Sequence, residues 1–239
     1  MNRLILQPSD LKNSNLASLS DRRSVHIRSV LKTKIGDQIR IGMLNGPTGM
    51  ATLLEDDGLV VMLQLEFGEE LPTPLLPCTL VLALPRPKVA RRLIQSICSL
   101  GVQELHLINS YKVAKSYWQS HYLEEAQLQE QLLLGLEQSG STLLPKIFQH
   151  RLFRPFAEDI FPKLVEGKTA LLAHPYATKI CPASIQGSSV LVVGPEGGFT
   201  DFEIELLVTQ GATPVSIGSR ILRVETAVPV LIGRLFSAD

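Results

Sequence analysis

The sequence is poor in cysteine and aromatic residues and carries no net charge. Its three cysteines, Cys78, Cys98 and Cys181, lie far apart and form no C-x-x-C pair. That argues against a disulfide framework or a cysteine zinc site and for buried, reduced thiols. The five histidines, His26, His106, His121, His150 and His174, show no H-x-x-x-H or other ligand spacing, so no metal is expected. No apolar run approaches the roughly 20 residues of a membrane helix, and the opening MNRLILQPSD lacks a signal-peptide pattern. No membrane association and a cytoplasmic location are the expectation. With 23 basic and 23 acidic residues, zero net charge argues weakly against gripping nucleic acid by bulk charge, while a local patch could still do so.

What is present divides in two near residue 72. Before it, short strand-like runs (RLIL, DQIRIGML, GMATLLE, LVVMLQLEF) alternate with turn signals such as NGPTG and DDG, and DRRSVHIRSVLK reads as one helix capped by Ser20. That pattern predicts a small β-barrel or sandwich. FGEELPTPLLP, rich in proline and acidic residues, reads as a linker. Beyond it the pattern alternates: strand CTLVLAL, a helix over 85–100, strand ELHLI, a long helix ending at Gly140, strands TALLAH and SVLVVG, a helix from Thr200, strand TPVSIG and a last helix. Such alternation predicts an α/β domain with a mostly parallel sheet.

The stretch LVVGPEGGFTDFEIELL, Leu191 to Leu207, combines a buried strand, a glycine loop and a helix start. Thr200 followed by Glu203 makes a capping box, and Asp201 suits the positive helix end. Gly194, Gly197 and Gly198 permit a sharp turn and a close approach to a ligand at a strand-to-helix junction. A phosphate would fit but for Glu196, a carboxylate that would take the loop amides or repel a pyrophosphate, and the spacing is not G-x-G-x-x-G. The loop suits a ligand that is not mainly anionic, or it is a plain tight connection.

Two further junctions look alike: LLAHP, Leu171 to Pro175, and SIGSRILRVETA, Ser216 to Ala227. If the three strand ends share one edge of the sheet, their loops form a pocket. Arg220, Arg223 and Glu225 sit in an otherwise apolar segment, as a functional group or as a structural ion pair. Pro229 either kinks a helix already begun or marks its first turn. Basic residues crowd two segments. One holds Arg22, Arg23, His26, Arg28, Lys32 and Lys34, and the other Arg86, Lys88, Arg91 and Arg92. Each is either a solvated face or a nucleic-acid contact.

The pair LVVGPEGGFTDFEIELL and SIGSRILRVETAVPVLI resembles the paired signature of the ribosomal RNA small subunit methyltransferase E family, within the SPOUT superfamily. LLAHP stands where the family has its first cofactor loop, LEQSG (Leu136 to Gly140) resembles another family segment, and VHIRSVLKTKIGDQIRIG resembles its N-terminal helix-to-strand stretch. The sequence departs from the family pattern at Ser141, at Cys98 to Val102 and at Ser219. The resemblance implies a PUA-like, RNA-binding β-barrel over 1–72 and a SPOUT methyltransferase domain over 73–239 with an α/β trefoil knot. It further implies a homodimer with active sites at the interface. S-adenosylmethionine is the implied cofactor and 16S ribosomal RNA, in the small subunit, the implied substrate, methylated at N3 of a uridine.

By that resemblance Leu172, Ala173 and His174, Gly194, Pro195, Glu196, Gly197 and Gly198, and Ile217, Gly218 and Leu222 line the cofactor. Gly197, Gly198 and Gly218 are expected to tolerate alanine poorly. The N3 proton of an imide must leave, so an arginine beside a uracil oxygen would stabilise the anion. Arg223 is assigned that role. Glu225 would orient it or accept the proton. Arg22, Arg23, Arg28, Lys88, Arg91 and Arg92 are assigned to RNA phosphates. Two alternatives stay open: the same scaffold acting on another RNA position, and an RNA-binding protein whose catalytic site has decayed.

Overall fold

The computed structural model describes residues 2–69 and 72–236. The chain forms two compact units: Met1–Pro74 with Leu132–Leu144, and Leu75–Gln131 with Pro145–Asp239.

The first unit is built on strands β1 (Leu4–Leu6), β2 (Leu11–Asn13), β3 (Leu16–Leu19), β4 (Gln38–Met43), β5 (Thr48–Asp56) and β6 (Val61–Phe67). They form one six-stranded sheet in the order β1-β4-β5-β6-β3-β2. β1 runs parallel to β4 and the other pairs are antiparallel. The barrel expected from sequence is a half-barrel, because β1 and β2 are the free edges rather than partners. Alternation along β6 buries Val61, Leu63 and Leu65 and exposes Gln64 and Glu66, as a sheet with one wet face requires. Those three join Leu4, Leu6, Leu19, Ile41 and Leu53 in the core of the unit.

Helix α1 (Arg22–His26) is capped by Asp21, not by Ser20, since the Asp21 side chain accepts the Arg23 N–H at 2.8 Å. It continues as a π-helical turn over Ile27–Leu31 that ends at Lys32 in the left-handed conformation. The expected linker FGEELPTPLLP includes Glu70 and Leu71, which lie outside the described residues.

The second unit carries strands β7 (Leu76–Ala83), β8 (Val102–Ile108), β9 (Lys146–His150), β10 (Thr169–Ala173), β11 (Ser189–Val193) and β12 (Thr213–Val215). All pair in parallel, in the order β12-β10-β11-β7-β8-β9. The central strands read as unbroken aliphatic runs because both faces are covered: every residue of β11 is buried, as are Cys78 through Ala83 of β7. Helices α2 (Pro87–Ser99), α3 (Glu125–Ser139), α4 (Phe153–Pro155), α5 (Phe161–Val165), α6 (Asp201–Thr209) and α7 (Val224–Leu235) complete the chain. The sequence pattern missed β9, α4 and α5. β9 is an edge strand with exposed Lys146, Phe148 and Gln149, so neither face supplies the apolar signal that betrays a buried strand.

Pro229 lies inside α7, five residues after its start. Its missing N–H leaves the Glu225 carbonyl without its usual helical donor. At the other end, the Arg234 Nε–H donates to the Cys181 carbonyl at 2.7 Å and the Ile185 N–H to the Leu235 carbonyl at 3.2 Å. These bonds fasten α7 to the 181–185 segment, which itself joins the end of β12 through the Cys181 N–H and the Ser216 carbonyl at 2.7 Å.

Candidate active site

The carboxyl ends of β10, β11 and β12 lie side by side, and the loops that follow them line a pocket of about 130 Å³ that opens to solvent. This is where an open parallel sheet offers a ligand crevice. Its walls are mostly apolar, from Val193, Phe199, Val215, Leu222, Val224 and Leu231. The structure gathers nine of the residues expected to line a cofactor: Ala173, His174, Gly194, Pro195, Glu196, Gly198, Ile217, Gly218 and Leu222. Leu172 is not among them: it is 1% exposed, buried together with Ala170 and Leu171 of β10. Gly197 also stays outside the lining, with its Cα turned toward Lys112.

Backbone geometry explains the glycines. Gly198 and Gly218 adopt φ of +70° and +125°, which a side chain resists. Gly197 serves a close approach instead: an added Cβ would lie 3.0 Å from Lys112 Cδ. Lys112 Nζ donates to the Gly197 carbonyl at 2.8 Å, so the loop after β8 is tied to the glycine loop.

A second tie is buried. The Glu203 carboxylate accepts the Thr200 N–H at 2.8 Å, completing the expected capping box, and with its other oxygen accepts the Tyr111 N–H at 2.7 Å. Thus one buried carboxylate both starts α6 and fixes the backbone beside Lys112.

Glu196, the carboxylate that seemed misplaced among glycine amides, leaves them alone. Its Oε1 accepts the N–H of Arg86, the N-cap residue of α2, at 3.0 Å. The side chain stabilises the positive end of a helix from another loop, and the pocket keeps its own polar backbone for a ligand.

Arg223 and Glu225 stand apart from the main pocket. They line an adjoining groove of about 470 Å³ together with Arg86, Val89, Pro195, Glu196, Ile221, Leu222 and Val224. Pocket and groove share Pro195, Glu196, Ile221, Leu222 and Val224. The feared structural ion pair is absent: among the described residues neither the Arg223 guanidinium nor the Glu225 carboxylate has a hydrogen-bond or ion-pair partner. Arg223 is the N-cap residue of α7, and Glu225 falls in the helix's first turn. Arg220, also noted in the sequence, lines the main pocket.

The profile of the RNA methyltransferase domain family matches residues 71–235. A ribosomal RNA small subunit methyltransferase E of Treponema pallidum is 32% identical over 217 residues, covering 88% of this chain and 80% of that protein. The chain belongs to the ribosomal RNA small subunit methyltransferase E family. A second member, from Borreliella burgdorferi, is 28% identical over 95% of this chain and 94% of its own length. The fold agrees. The crystal structure of a ribosomal RNA small subunit methyltransferase E from Neisseria gonorrhoeae, bound to S-adenosyl methionine, superposes with a TM-score of 0.77 at 24% identity. It covers 98% of this chain and 95% of its own.

The basic residues of this methyltransferase-family chain divide by structure. Arg23 is corrected from a phosphate contact to a structural cation. It is 5% exposed, and its guanidinium donates to Asp10, Asp21 and the Ile5 carbonyl at 2.6 to 3.1 Å. Arg22 makes a two-pronged pair with the buried Glu137 of the LEQSG segment, at 2.8 and 3.0 Å, and Arg28 pairs with Asp56 at 2.8 Å. In the second unit Lys88, Arg91 and Arg92 are exposed on α2. Arg91 lies over the Tyr122 ring, 5.6 Å from its centre.

Proposed function

We propose that this chain is an S-adenosylmethionine-dependent methyltransferase acting on 16S ribosomal RNA of the small subunit, with N3 of a uridine as the acceptor. One observation carries the reading: an apolar pocket at three parallel strand ends opens into a groove that presents an unpaired Arg223 and Glu225. The residues suit that cofactor. The apolar walls suit an adenine, the backbone of the three loops suits its ribose and amino-acid groups, and no phosphate has to be placed near Glu196.

When bound, S-adenosylmethionine supplies a methyl group already activated by its sulfonium. The work left to the protein lies on the acceptor side. Each unit by which the imide pKa exceeds ambient pH costs about 1.4 kcal/mol, and a positioned guanidinium offsets that by meeting charge on a uracil oxygen. Arg223 has the free guanidinium and the groove position for this. Glu225, two residues on, orients it or takes the N3 proton. The base must be unstacked to reach the groove.

Several companion readings belong here. The half-barrel is proposed as PUA-like and RNA-binding, within a domain over 1–72, and 73–239 as a SPOUT domain. A trefoil knot in the second unit is proposed on the family likeness alone, against the general rule. A homodimer is proposed on the family likeness alone. No described helix is long and apolar enough to cross a membrane; a cytoplasmic location is proposed from the family.

The test is calorimetric titration with S-adenosylmethionine, with NADH as control, followed by radiolabelled methyl transfer to small subunits from cells lacking the enzyme. Cofactor binding with label at one N3-methyluridine is the expected result. Label elsewhere would keep the enzyme and move its target, and absence of binding would refute the proposal.

A further inference from the structure

Helix α2 breaks a rule that most helices obey. Acidic residues favour the first turn of a helix, where the macrodipole is positive, yet α2 has none there. It opens instead with Arg86 and Lys88, and Arg91 and Arg92 follow in the next turn, all exposed. The carboxylate found at this end, Glu196, comes from the glycine loop and takes the Arg86 N–H. Four cations against one carboxylate leave a surplus of positive charge. Departures of this kind from local preference concentrate where a ligand compensates them.

One of these cations, Arg86, faces a built space. Arg86 shares the groove with Arg223 and Glu225, and among the described residues its guanidinium has no hydrogen-bond or ion-pair partner. Two guanidiniums, one from the start of α2 and one from the start of α7, therefore line one groove beside the carboxylates of Glu196, already engaged by the Arg86 main-chain N–H, and Glu225. A uridine within RNA offers two matching groups: a base with carbonyl oxygens and a phosphodiester anion. We propose that Arg86 is a substrate-positioning residue that holds the phosphodiester of the nucleotide whose base enters the groove, leaving Arg223 to meet the base. Glu196, by anchoring the Arg86 main chain, sets where that guanidinium starts. This assignment rests on the RNA methyltransferase reading above.

Arg86→Ala is an informative variant because it keeps the main-chain N–H that Glu196 holds. Binding of unmodified small ribosomal subunits is measured across a salt series, beside cofactor titration and single-turnover methylation at saturating RNA. Loss of one charge-assisted contact weakens RNA binding by about ten- to a hundredfold. Loss of one phosphate contact makes the plot of log K against log salt shallower by about 0.7 to 0.9, with cofactor affinity held within about twofold. Arg86→Gln gives the same change in slope, and Arg86→Lys restores the slope.

Wild-type RNA affinity and slope in Arg86→Ala would overturn the assignment. So would weaker binding at unchanged slope, which would mean a contact to the base, or loss of cofactor binding in either neutral variant, which would mean Arg86 holds the pocket. A wild-type protein that binds no S-adenosylmethionine refutes the proposed function itself. A wild-type protein that binds and methylates, indifferent to Arg86, refutes this inference alone.

Discussion

Removing the Glu203 carboxylate is expected to cost more stability than removing any other single acid in the second unit. Glu203 is 3% exposed. One oxygen accepts the Tyr111 N–H at 2.7 Å, and the other accepts the Thr200 N–H at 2.8 Å and its hydroxyl at 3.0 Å. Glu203→Ala strands two main-chain donors, the Tyr111 N–H and the Thr200 N–H of the capping box, each costing about 1–3 kcal/mol when left unsatisfied. Both donors are only partly buried, so water recovers some of this, and a loss of about 3–4 kcal/mol is expected. Glu203→Gln retains one acceptor but turns an amide N–H toward a second donor, and should lose about half as much.

Urea unfolding followed by far-ultraviolet circular dichroism reads this as a fall in midpoint at constant slope. The loop after β8 is fixed by this carboxylate and by Lys112 on the Gly197 carbonyl, so cofactor affinity should fall together with stability. Glu196→Ala is the comparison, since it removes one exposed hydrogen bond and should cost less than about 1 kcal/mol. A Glu203→Ala protein destabilised no more than Glu196→Ala would refute the reasoning.

Four further outcomes are expected. Arg23→Ala leaves Asp10 without its partner in a buried site and should destabilise by about 3–5 kcal/mol, measured by urea unfolding. Arg223→Ala should abolish methyl transfer while calorimetric cofactor affinity stays near normal, and near-normal turnover would remove Arg223 from the mechanism. Gly198→Ala, at φ +70°, should cost about 1–2 kcal/mol, whereas Gly197→Ala needs only the flexible Lys112 side chain to move and should cost less in the same unfolding assay. His106, 4% exposed, is pushed down to about 4 from 6.5, by burial first and by the neighbouring His150 second. The unfolded chain therefore gains a proton before the folded one does. The stability from keeping His106 neutral is complete above pH 6.5 and is lost toward pH 4, by at most about 3 kcal/mol, and His106→Phe should flatten that part of the stability profile.

Local pattern carried much of the fold. β7 and β11 could be read as buried parallel strands because sheets covered on both faces select mainly apolar side chains, Thr79 and Ser189 being the polar residues among their buried positions. The Thr200–Glu203 capping box was legible because both partners fall within one helical turn. The same locality failed for α1, where Ser20 and Asp21 are adjacent acceptors and Asp21 prevailed through its bond to the Arg23 N–H.

By itself the sequence determined the parallel α/β unit, the glycine loops and the family, because each is written in neighbouring residues whose spacing matches a backbone period or a turn. Only the tertiary structure decided the fates of the charges. Glu196 meets the Arg86 N–H across 110 positions, Arg22 meets Glu137 across 115, and Arg23 is buried between Asp10 and Asp21 while Arg86 and Arg223 remain free beside one groove. A charged side chain shows its type in the sequence but not its partner, since the energy of a charge depends on burial and on distances that exist only after the chain has folded.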